Sequence, residues 1–582
     1  MFYGLKCVVI VKFDEALSSS NGVVKEGLPK FLEMQECYNI CMAAYKEIMT
    51  LALKANTWVV DIPVLGSIEK LHHMFREPPS PGMEIEYSIE SGIVPLRLDN
   101  VVTTMTNVDE WASVFCNIVH NRTAEVSSGV MSNLAPNTPP HNRDNFKCVK
   151  TINAELLLPM PCAPTRKFSF VRFLREVIPD VWAVVDVSTD YFPHLNYTLN
   201  VNCKRRPSGV IVRRRDDHSE VIWIENMEIH NYNVEDSIYS GVNSNLAFDA
   251  KHWISMLLTK EKRIQSKFVT VKLPIMNHAF SVRHALLTLA RRLKMVFLSY
   301  IAEHPDENKW DLLSDTGIKI LKDTDAQRNN YMAVTTSRVE ATPLSVFNFL
   351  VKRNRQLQWP CLEEMAEPEE VINLVTDDHS NCITIHAKRV NQNESTERVM
   401  QTESTENFEY VLQEASKDEF CSFIISSQID QSEVNSALGF GQLSCSLRPF
   451  GFSIIPDGSR GHLSDASIVT MACQLELEAD LETGEVIERM SNLVSGVFEA
   501  INGPIVSTTS TSFAIQIGRS LYTDEGATLG LLEGASVWRV IQMRLLLVTV
   551  DFLAMREYDV SDSWTKVFNL DLSNLPVQPL LE

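Results

Sequence analysis

The residue types able to do chemistry are scattered along this chain, and each small grouping falls short of a reactive set. His72, His73 and Glu77 offer metal-ligating atoms, but they lack the spacing of a zinc-binding helix and stand before a proline-rich stretch, so they read as solvated. Gly439-Phe440-Gly441 lacks the third glycine of a dinucleotide loop, no Gly-Lys-Ser/Thr phosphate loop occurs, and no serine sits in a nucleophile elbow. No enzymatic activity, metal or cofactor is expected.

More telling are charged residues inside apolar, strand-like runs. Strand alternation puts Phe168, Phe170, Arg172 and Leu174 on one face, Trp182, Val184 and Asp186 on a second, and Trp223, Glu225 and Met227 on a third. If these faces turn inward, Arg172 needs a carboxylate, and Asp186 or Glu225 can pair with it beside the polar end of a ligand. If they turn outward, Arg172 and Glu225 make ordinary cross-strand pairs. The triplets Lys204-Arg205-Arg206 and Arg213-Arg214-Arg215 read as solvated strand ends, with phospholipid headgroups or nuclear import as the alternative use.

These residues need a scaffold, and hydrophobic periodicity supplies one. Phe31 to Asn56 spaces Cys41, Ala44, Ile48 and Leu51 as a long amphipathic helix does. After a loop from Gly66 to Pro81 and a short extended piece at Ile85 to Ile89, Asn107 to His120 predicts a helix bearing Trp111, Val114, Phe115 and Ile118 on one face. From Val149 the period becomes two, with runs at Lys167–Leu174, Val181–Val187, Val210–Arg215 and Glu220–Glu228, the last two joined by a polar turn at Asp216 to Ser219: an antiparallel meander. Val234 to Ser266 then predicts a helix of roughly thirty residues, about 45 Å long. Its apolar stripe is Ile238, Val242, Leu246, Trp253, Leu257 and Leu258, and Lys260 to Arg263 form a solvated end.

A second unit repeats the order helix, strands, helix. Helices are expected at Val282–His304, Pro343–Arg355 and Glu485–Ile501, strands at Glu419–Ser427, Ser444–Pro456 and Ser467–Leu477, and loops at Glu363–Glu370 and Asn391–Asn407.

The 582 residues call for two to four domains. The apolar share of 45% and charged share of 22% are those of a chain that folds. A net charge of -21 disfavours broad attachment to nucleic acid or an anionic membrane. The 12 scattered cysteines fit reduced thiols in an intracellular compartment. Cys7 to Val11 is shorter than a secretory apolar region and reads as a strand, and Val540 to Met555, interrupted by Arg544 and Asp551, falls short of the ~20 residues of a spanning helix. No transmembrane segment is expected.

Several fragments, in their order and spacing, carry a family resemblance: Pro164-Thr165-Arg166, Phe170 to Leu174, Trp182 to Ser188, Arg206-Pro207-Ser208-Gly209 and Trp223-Ile224-Glu225. Together they resemble the START domain of plant class IV homeodomain-leucine zipper proteins. Val346 to Leu350, Trp359, Arg448 to Phe452 and Ile455 to Gly458 are similar to the START-adjacent region of the same proteins. The resemblance covers roughly residues 31 to 505. It implies an α+β chain, with a helix-grip domain in which a curved antiparallel sheet wraps a long C-terminal helix around an apolar cavity, followed by a second, START-like α+β domain. The expected layout is an extension at 1–30, a lipid-binding domain at 31–267, an adjacent domain at 268–505 and a divergent tail at 506–582.

Neither a homeodomain nor a zipper is recognisable before residue 31, and no basic recognition helix occurs, so sequence-specific DNA binding is not carried over. The function implied is binding of a lipid or sterol as a sensor or carrier, with Phe170, Arg172, Trp182, Val184, Asp186, Trp223, Glu225, Ile238, Val242, Leu246 and Trp253 as ligand-lining candidates. The alternative is an interaction protein that modulates related transcription factors, its cavity filled by its own side chains. By family analogy the chain is placed in the nucleus, with the cytoplasm as the other option.

Overall fold

The computed structural model describes residues 24–55, 57–61, 72–126, 147–161, 163, 165–193, 201–230, 247–272, 279–302, 309–325, 329–355, 369–376, 381–389, 408–430, 434, 447–458, 464–478, 481–522, 549–555 and 564–571. The chain divides into two compact units, Met1–Ser510 and Thr511–Glu582.

The first unit opens with helix α1 (Val24–Lys54) and an antiparallel sheet built from β1 (Met83–Val94), β2 (Val119–Val126), β3 (Lys147–Leu156), β4 (Arg166–Ile178), β5 (Val181–Ser188), β6 (Cys203–Arg205), β7 (Ser208–Arg215) and β8 (His218–His230). The strand order is β1-β8-β7-β5-β4-β3-β2, with β6 paired to β8. One face, carrying Val171, Phe173, Val185, Ile211 and Ile224, is covered by Cys41, Ala44, Ile48 and Ala52 of α1. The other face meets α2 (Leu98–Thr106), α3 (Val108–Val114) and α4 (Ala250–Ile264). Strands β4, β5, β7 and β8 are thus buried on both sides, so they are nearly continuous apolar runs where an open sheet would alternate.

A second antiparallel sheet follows, in chain order β9 (Lys267–Val271), β10 (Trp310–Asp315), β11 (Lys319–Asp323), β12 (Asn330–Val339), β13 (Glu369–Val375), β14 (Cys382–Arg389), β15 (Phe408–Lys417), β16 (Ser422–Ile429), β17 (Phe450–Pro456) and β18 (Ser467–Glu476). Its spatial order is β10-β11-β12-β18-β17-β16-β15-β14-β13-β9. Helices α6 (Pro343–Arg355) and α7 (Thr483–Tyr522) pack on one face through Phe347, Leu350, Met490 and Val494. Helix α5 (Ala279–Tyr300) packs on the other through Leu286, Leu289 and Phe297, which belong to the same apolar cluster as the interior of the first sheet. The two sheets therefore share one core across α4 and α5. In the second unit, β19 (Thr549–Met555) and β20 (Trp564–Asp571) form an antiparallel hairpin.

This is the α+β, sheet-and-helix arrangement expected, with differences that have physical reasons. The closing helix α4 begins at Ala250, where Asp249 adopts an extended backbone and its carboxylate accepts the His252 N–H at 2.7 Å as an N-cap, so the expected helix is not continuous through Asp249; its part at 234–246 lies outside the described residues. Helix α4 has 15 residues. The predicted helix at Asn107 to His120 is α3 alone, capped by Asn107, preceded by an unforeseen α2 and ended by a turn into β2. The hairpin turn is two residues, Asp216-Asp217, since Arg215 already faces His218. Glu369 and Glu370, expected in a loop, begin β13, and β9 to β15 went largely unforeseen. The expected strand at Cys7 to Val11, the loop at Asn391 to Asn407 and Gly439-Phe440-Gly441 lie outside the described residues.

Helix α4 is bound to the second sheet by charges. His252 Nε2 lies 3.1 Å from Asp418 Oδ2, both side chains buried, and Asn117 Nδ2 donates to the same oxygen at 2.7 Å. Lys251 pairs with Glu419, and Arg263 with the fully buried Glu414, so the residues expected at a solvated end are partly interfacial. Burial pushes the His252 pKa down, but the Asp418 carboxylate outweighs it and holds His252 above the ordinary histidine value. Burial likewise raises Asp418, yet His252 and the Cys421 and Phe420 amides hold it well below the carboxylate range.

Two outcomes follow. The raised His252 adds stability that is whole below its unfolded value of about 6.5 and is lost as pH rises through its folded value, whereas the depressed Asp418 adds stability that is whole above about 3.9 and is lost as pH falls through its own. Unfolding midpoints should therefore decline on the alkaline side, and Asp418→Asn should flatten that decline; an unchanged slope would contradict the pair. At Gly209, φ is +141 and an added Cβ would stand 2.1 Å from the Val184 carbonyl oxygen. Gly209→Ala should abolish folded protein, while Gly82→Ala, at φ +80 with nothing within 4 Å, should cost about 1–2 kcal/mol by urea denaturation.

Candidate ligand-binding interior

The interior between the first sheet and α4 is built from aromatic side chains. Trp111 comes from α3, Phe115 from the turn that ends it, Phe168 and Phe170 from β4, Trp223 from β8 and Trp253 from α4, and all are nearly inaccessible to solvent. Trp253 lies between two indoles, parallel to Trp223 at 5.3 Å between ring centroids and to Trp111 at 6.2 Å. The Phe115 ring sits 4.9 Å from Trp253 and 5.4 Å from Trp223. Alternation on β4 and β8 and the cap at Asp249 together aim these rings at one another.

One polar cluster interrupts the apolar lining. Arg172 on β4 and Asp186 on β5 are direct cross-strand partners, and the guanidinium binds the carboxylate through Nε and Nη2, each at 2.7 Å. Its Nη1 donates to the Met105 carbonyl at 2.8 Å. Arg205 on β6 bridges Glu225 Oε2 at 2.5 Å and Asp186 Oδ2 at 3.3 Å, and Trp223 Nε1 donates to Glu225 Oε1 at 2.8 Å. Burial holds the Glu225 carboxyl above its usual range despite Arg205. Two guanidiniums thus face two carboxylates in a site where all four side chains are 2% exposed. Around this cluster, Nε1 of Trp111, Nε1 of Trp253 and Nε of Arg205 are buried without a hydrogen-bond acceptor among the described residues.

The inward alternative is the one observed: Arg172 and Glu225 are not on the outer face, because both strands turn these positions toward α4. Arg172 takes Asp186 and leaves Glu225 to Arg205. Phe170, Val184, Trp223 and Trp253 line the same interior, and Trp182 packs at its edge. Ile238, Val242 and Leu246 lie outside the described residues. The triplets are not simply solvated: Arg205 is in the cluster, Arg206 is buried against Glu228, and Arg213 pairs with Glu220 while Arg214 reaches Asp180 and Asp99. Arg205 escaped the sequence reading because a run of three basic residues looks like surface, and the available signal was Pro207-Ser208-Gly209 directly after it, which marks a turn back into the sheet.

Removing one partner of a buried pair strands the other charge. Asp186→Asn should therefore destabilise by about 3–5 kcal/mol in urea denaturation. Asp109→Asn, whose partner Arg122 is at the surface, should change stability by less than about 1 kcal/mol. Equal losses would contradict the burial of the cluster.

Comparison with known proteins bears on this geometry. Residues 42–263 match the START domain family, and residues 279–504 match the family described as PDF2-like, C-terminal domain. Homeobox-leucine zipper protein ROC4 of Oryza sativa subsp. japonica is 26% identical, over 84% of this chain and 65% of its own length. Homeobox-leucine zipper protein GLABRA 2 of Arabidopsis thaliana is 26% identical over 71% of this chain and 56% of its own. The chain spans between about half and two thirds of the length of the curated relatives it matches. Human STARD10 aligns over 36% of this chain and 77% of its own, at 8% identity and a TM-score of 0.22. The chain therefore carries a START domain followed by a PDF2-like C-terminal domain, and over that region its homologues are class IV homeodomain-leucine zipper proteins.

Proposed function

We propose that the START domain binds a lipid or sterol between its sheet and α4, as a sensor or carrier linked to transcriptional regulation in the nucleus, without enzymatic turnover. In this reading residues 31–267 form the binding domain, 268–505 the adjoining domain and 506–582 a divergent tail. The observation that carries it is the pairing of an apolar, aromatic interior with one closed polar cluster whose rim leaves buried donors unsatisfied. Each unmet donor costs about 1–3 kcal/mol, which an acceptor on a ligand would relieve. The rest of such a ligand gains about 25 cal/mol for every Å² of apolar surface it buries. Its bulk would displace the stacked indoles, so α4, which brings in Trp253, is the natural gate. Phe170, Arg172, Trp182, Val184, Asp186, Trp223, Glu225 and Trp253 are the ligand-facing residues proposed, and Ile238, Val242 and Leu246, outside the described residues, are proposed from the sequence alone.

A second reading rests on the same indoles: their parallel stack already fills the described interior, which suits an interaction protein that modulates homeodomain-leucine zipper relatives with no ligand at all. Native mass spectrometry of the full chain, with identification of co-purifying lipid, separates the two. A stoichiometric lipid or sterol is expected, together with a change in tryptophan fluorescence. Ligand at about 100 times its Kd should add roughly 2.7 kcal/mol of stability. An empty protein with no thermal shift across phospholipids, sterols and fatty acids would favour the interaction protein.

A further inference from the structure

Where α4 meets the second sheet, the fold assembles a donor set that local pattern does not reveal, since His252 and Asp418 are 166 residues apart along the chain. His252 Nε2, a carboxylate oxygen of Asp418 and Cys421 Sγ all lie within 4.8 Å of one another, and the three side chains are buried. Asp418 Oδ2 is the centre of the set. Asn117 Nδ2 donates to it at 2.7 Å, His252 Nε2 at 3.1 Å and Cys421 Sγ at 3.3 Å. A carboxylate oxygen offers two lone pairs, so three donors crowd this one.

The groups behind these atoms hold them as the outer shell of a metal site does. The Ala247 carbonyl can only accept, so its contact with His252 Nδ1 at 2.7 Å fixes a hydrogen there and turns Nε2 toward Asp418. The Phe420 and Cys421 amides donate to Asp418 Oδ1 at 2.9 and 2.7 Å, which leaves Oδ2 for the cluster. The Phe420 ring covers the imidazole, 5.4 Å between centroids. Asp418 also lines two cavities of about 240 and 270 Å³, and Asn117 lines the larger, so an ion has an entry path.

We propose that His252 Nε2, Asp418 Oδ2 and Cys421 Sγ bind a zinc ion that joins α4 to the turn at 418–421. Imidazole, carboxylate and thiolate are all zinc ligands, with bonds of about 2.0–2.3 Å, whereas magnesium and calcium take oxygen alone. Donors around a tetrahedral ion with such bonds stand about 3.3–3.8 Å apart, close to the 3.1 and 3.3 Å observed about Oδ2. Half a turn of the Asn117 amide exchanges its nitrogen and oxygen and offers a fourth ligand. Charge balances as well. The ion displaces the proton on Nε2 and the proton on Sγ, both of which leave to solvent, and the thiolate and carboxylate then neutralise it. Without metal, the His252–Asp418 ion pair satisfies the same groups. The site shares α4 with the START interior but does not rest on lipid binding there.

The test is titration of the full chain, reduced and stripped with a chelator, with Zn²⁺ and with Co²⁺ as its coloured substitute. Uptake of one equivalent of zinc is expected. Co²⁺ should give the intense visible bands of a tetrahedral site and a thiolate-to-cobalt charge-transfer band, both erased by added zinc. Cys421→Ser keeps a hydroxyl to donate to Asp418, and it should lose the charge-transfer band and weaken zinc by more than about a hundredfold, beyond the roughly 10–100-fold that an outer-shell change costs. Zinc should raise the Tm of the unaltered chain and leave that of Cys421→Ser where it was. Cys421→Ala, which adds no hydroxyl to a buried position, serves if the serine variant does not fold. A chain that takes up neither ion would overturn the proposal. So would a thiolate band that survives in the Cys421 variants, because it would place the metal on others of the 12 cysteines.

Discussion

Helix α4 has two buried sides, and the arrangement of both domains follows from that constraint. Asp249 fixes where the helix starts and therefore its rotational phase. With about 3.6 residues per turn, that phase sends Trp253 and Leu257 into the START interior and brings His252 and Arg263, roughly three turns apart, to the second sheet. A helix with one free side could move with little consequence beyond its own domain. This one cannot shift against the sheet without disturbing ion pairs whose partners are inaccessible to water, and α5 extends the same apolar cluster to the second sheet.

The buried charges contribute specificity more than net stability. Taking four ionised side chains out of water costs several kcal/mol each before mutual attraction repays it, so the cluster of Arg172, Asp186, Arg205 and Glu225 is weak evidence of a tighter fold. It does join β4, β5, β6 and β8 at one point. A slip of one residue in any of these strands would turn a charge to the opposite, apolar face, so the cluster penalises every register but the observed one. The same logic explains where the arginines go in an acidic chain: Arg166, Arg172, Arg205 and Arg206 are all buried against carboxylates.

The short fragments that carry the START resemblance keep their order over a long span, and three of them, Phe170 to Leu174, Trp182 to Ser188 and Trp223 to Glu225, lie in strands buried on both faces. Trp182 to Ser188 and Trp223 to Glu225 are legible because a strand squeezed between α1 and α4 tolerates few residue types. Of the second sheet, β16, β17 and β18 were legible, as the strands expected at Glu419–Ser427, Ser444–Pro456 and Ser467–Leu477, together with the helix at Pro343–Arg355 that packs on it. Its middle strands β13 and β14 are short apolar runs embedded between polar segments, and β12 finds its partner β18 well over a hundred residues away, with Asn330 opposite Glu476. Local patterning holds no record of such pairings.

By itself the sequence determined the class of fold and the alternation that puts Arg172, Asp186 and Glu225 each on one strand face with apolar or aromatic neighbours, because periodicity and residue type are local properties; that these faces turn to one interior was decided by the tertiary structure. Only the tertiary structure decided which carboxylate each arginine takes, since Arg205 arrives from a strand that no pattern announced. It alone decided that α4 begins at Ala250 and that its charged end is an interface. Those outcomes depend on what lies opposite in space, and the groups opposite, Asp418 and Glu414, are more than a hundred and fifty residues away along the chain.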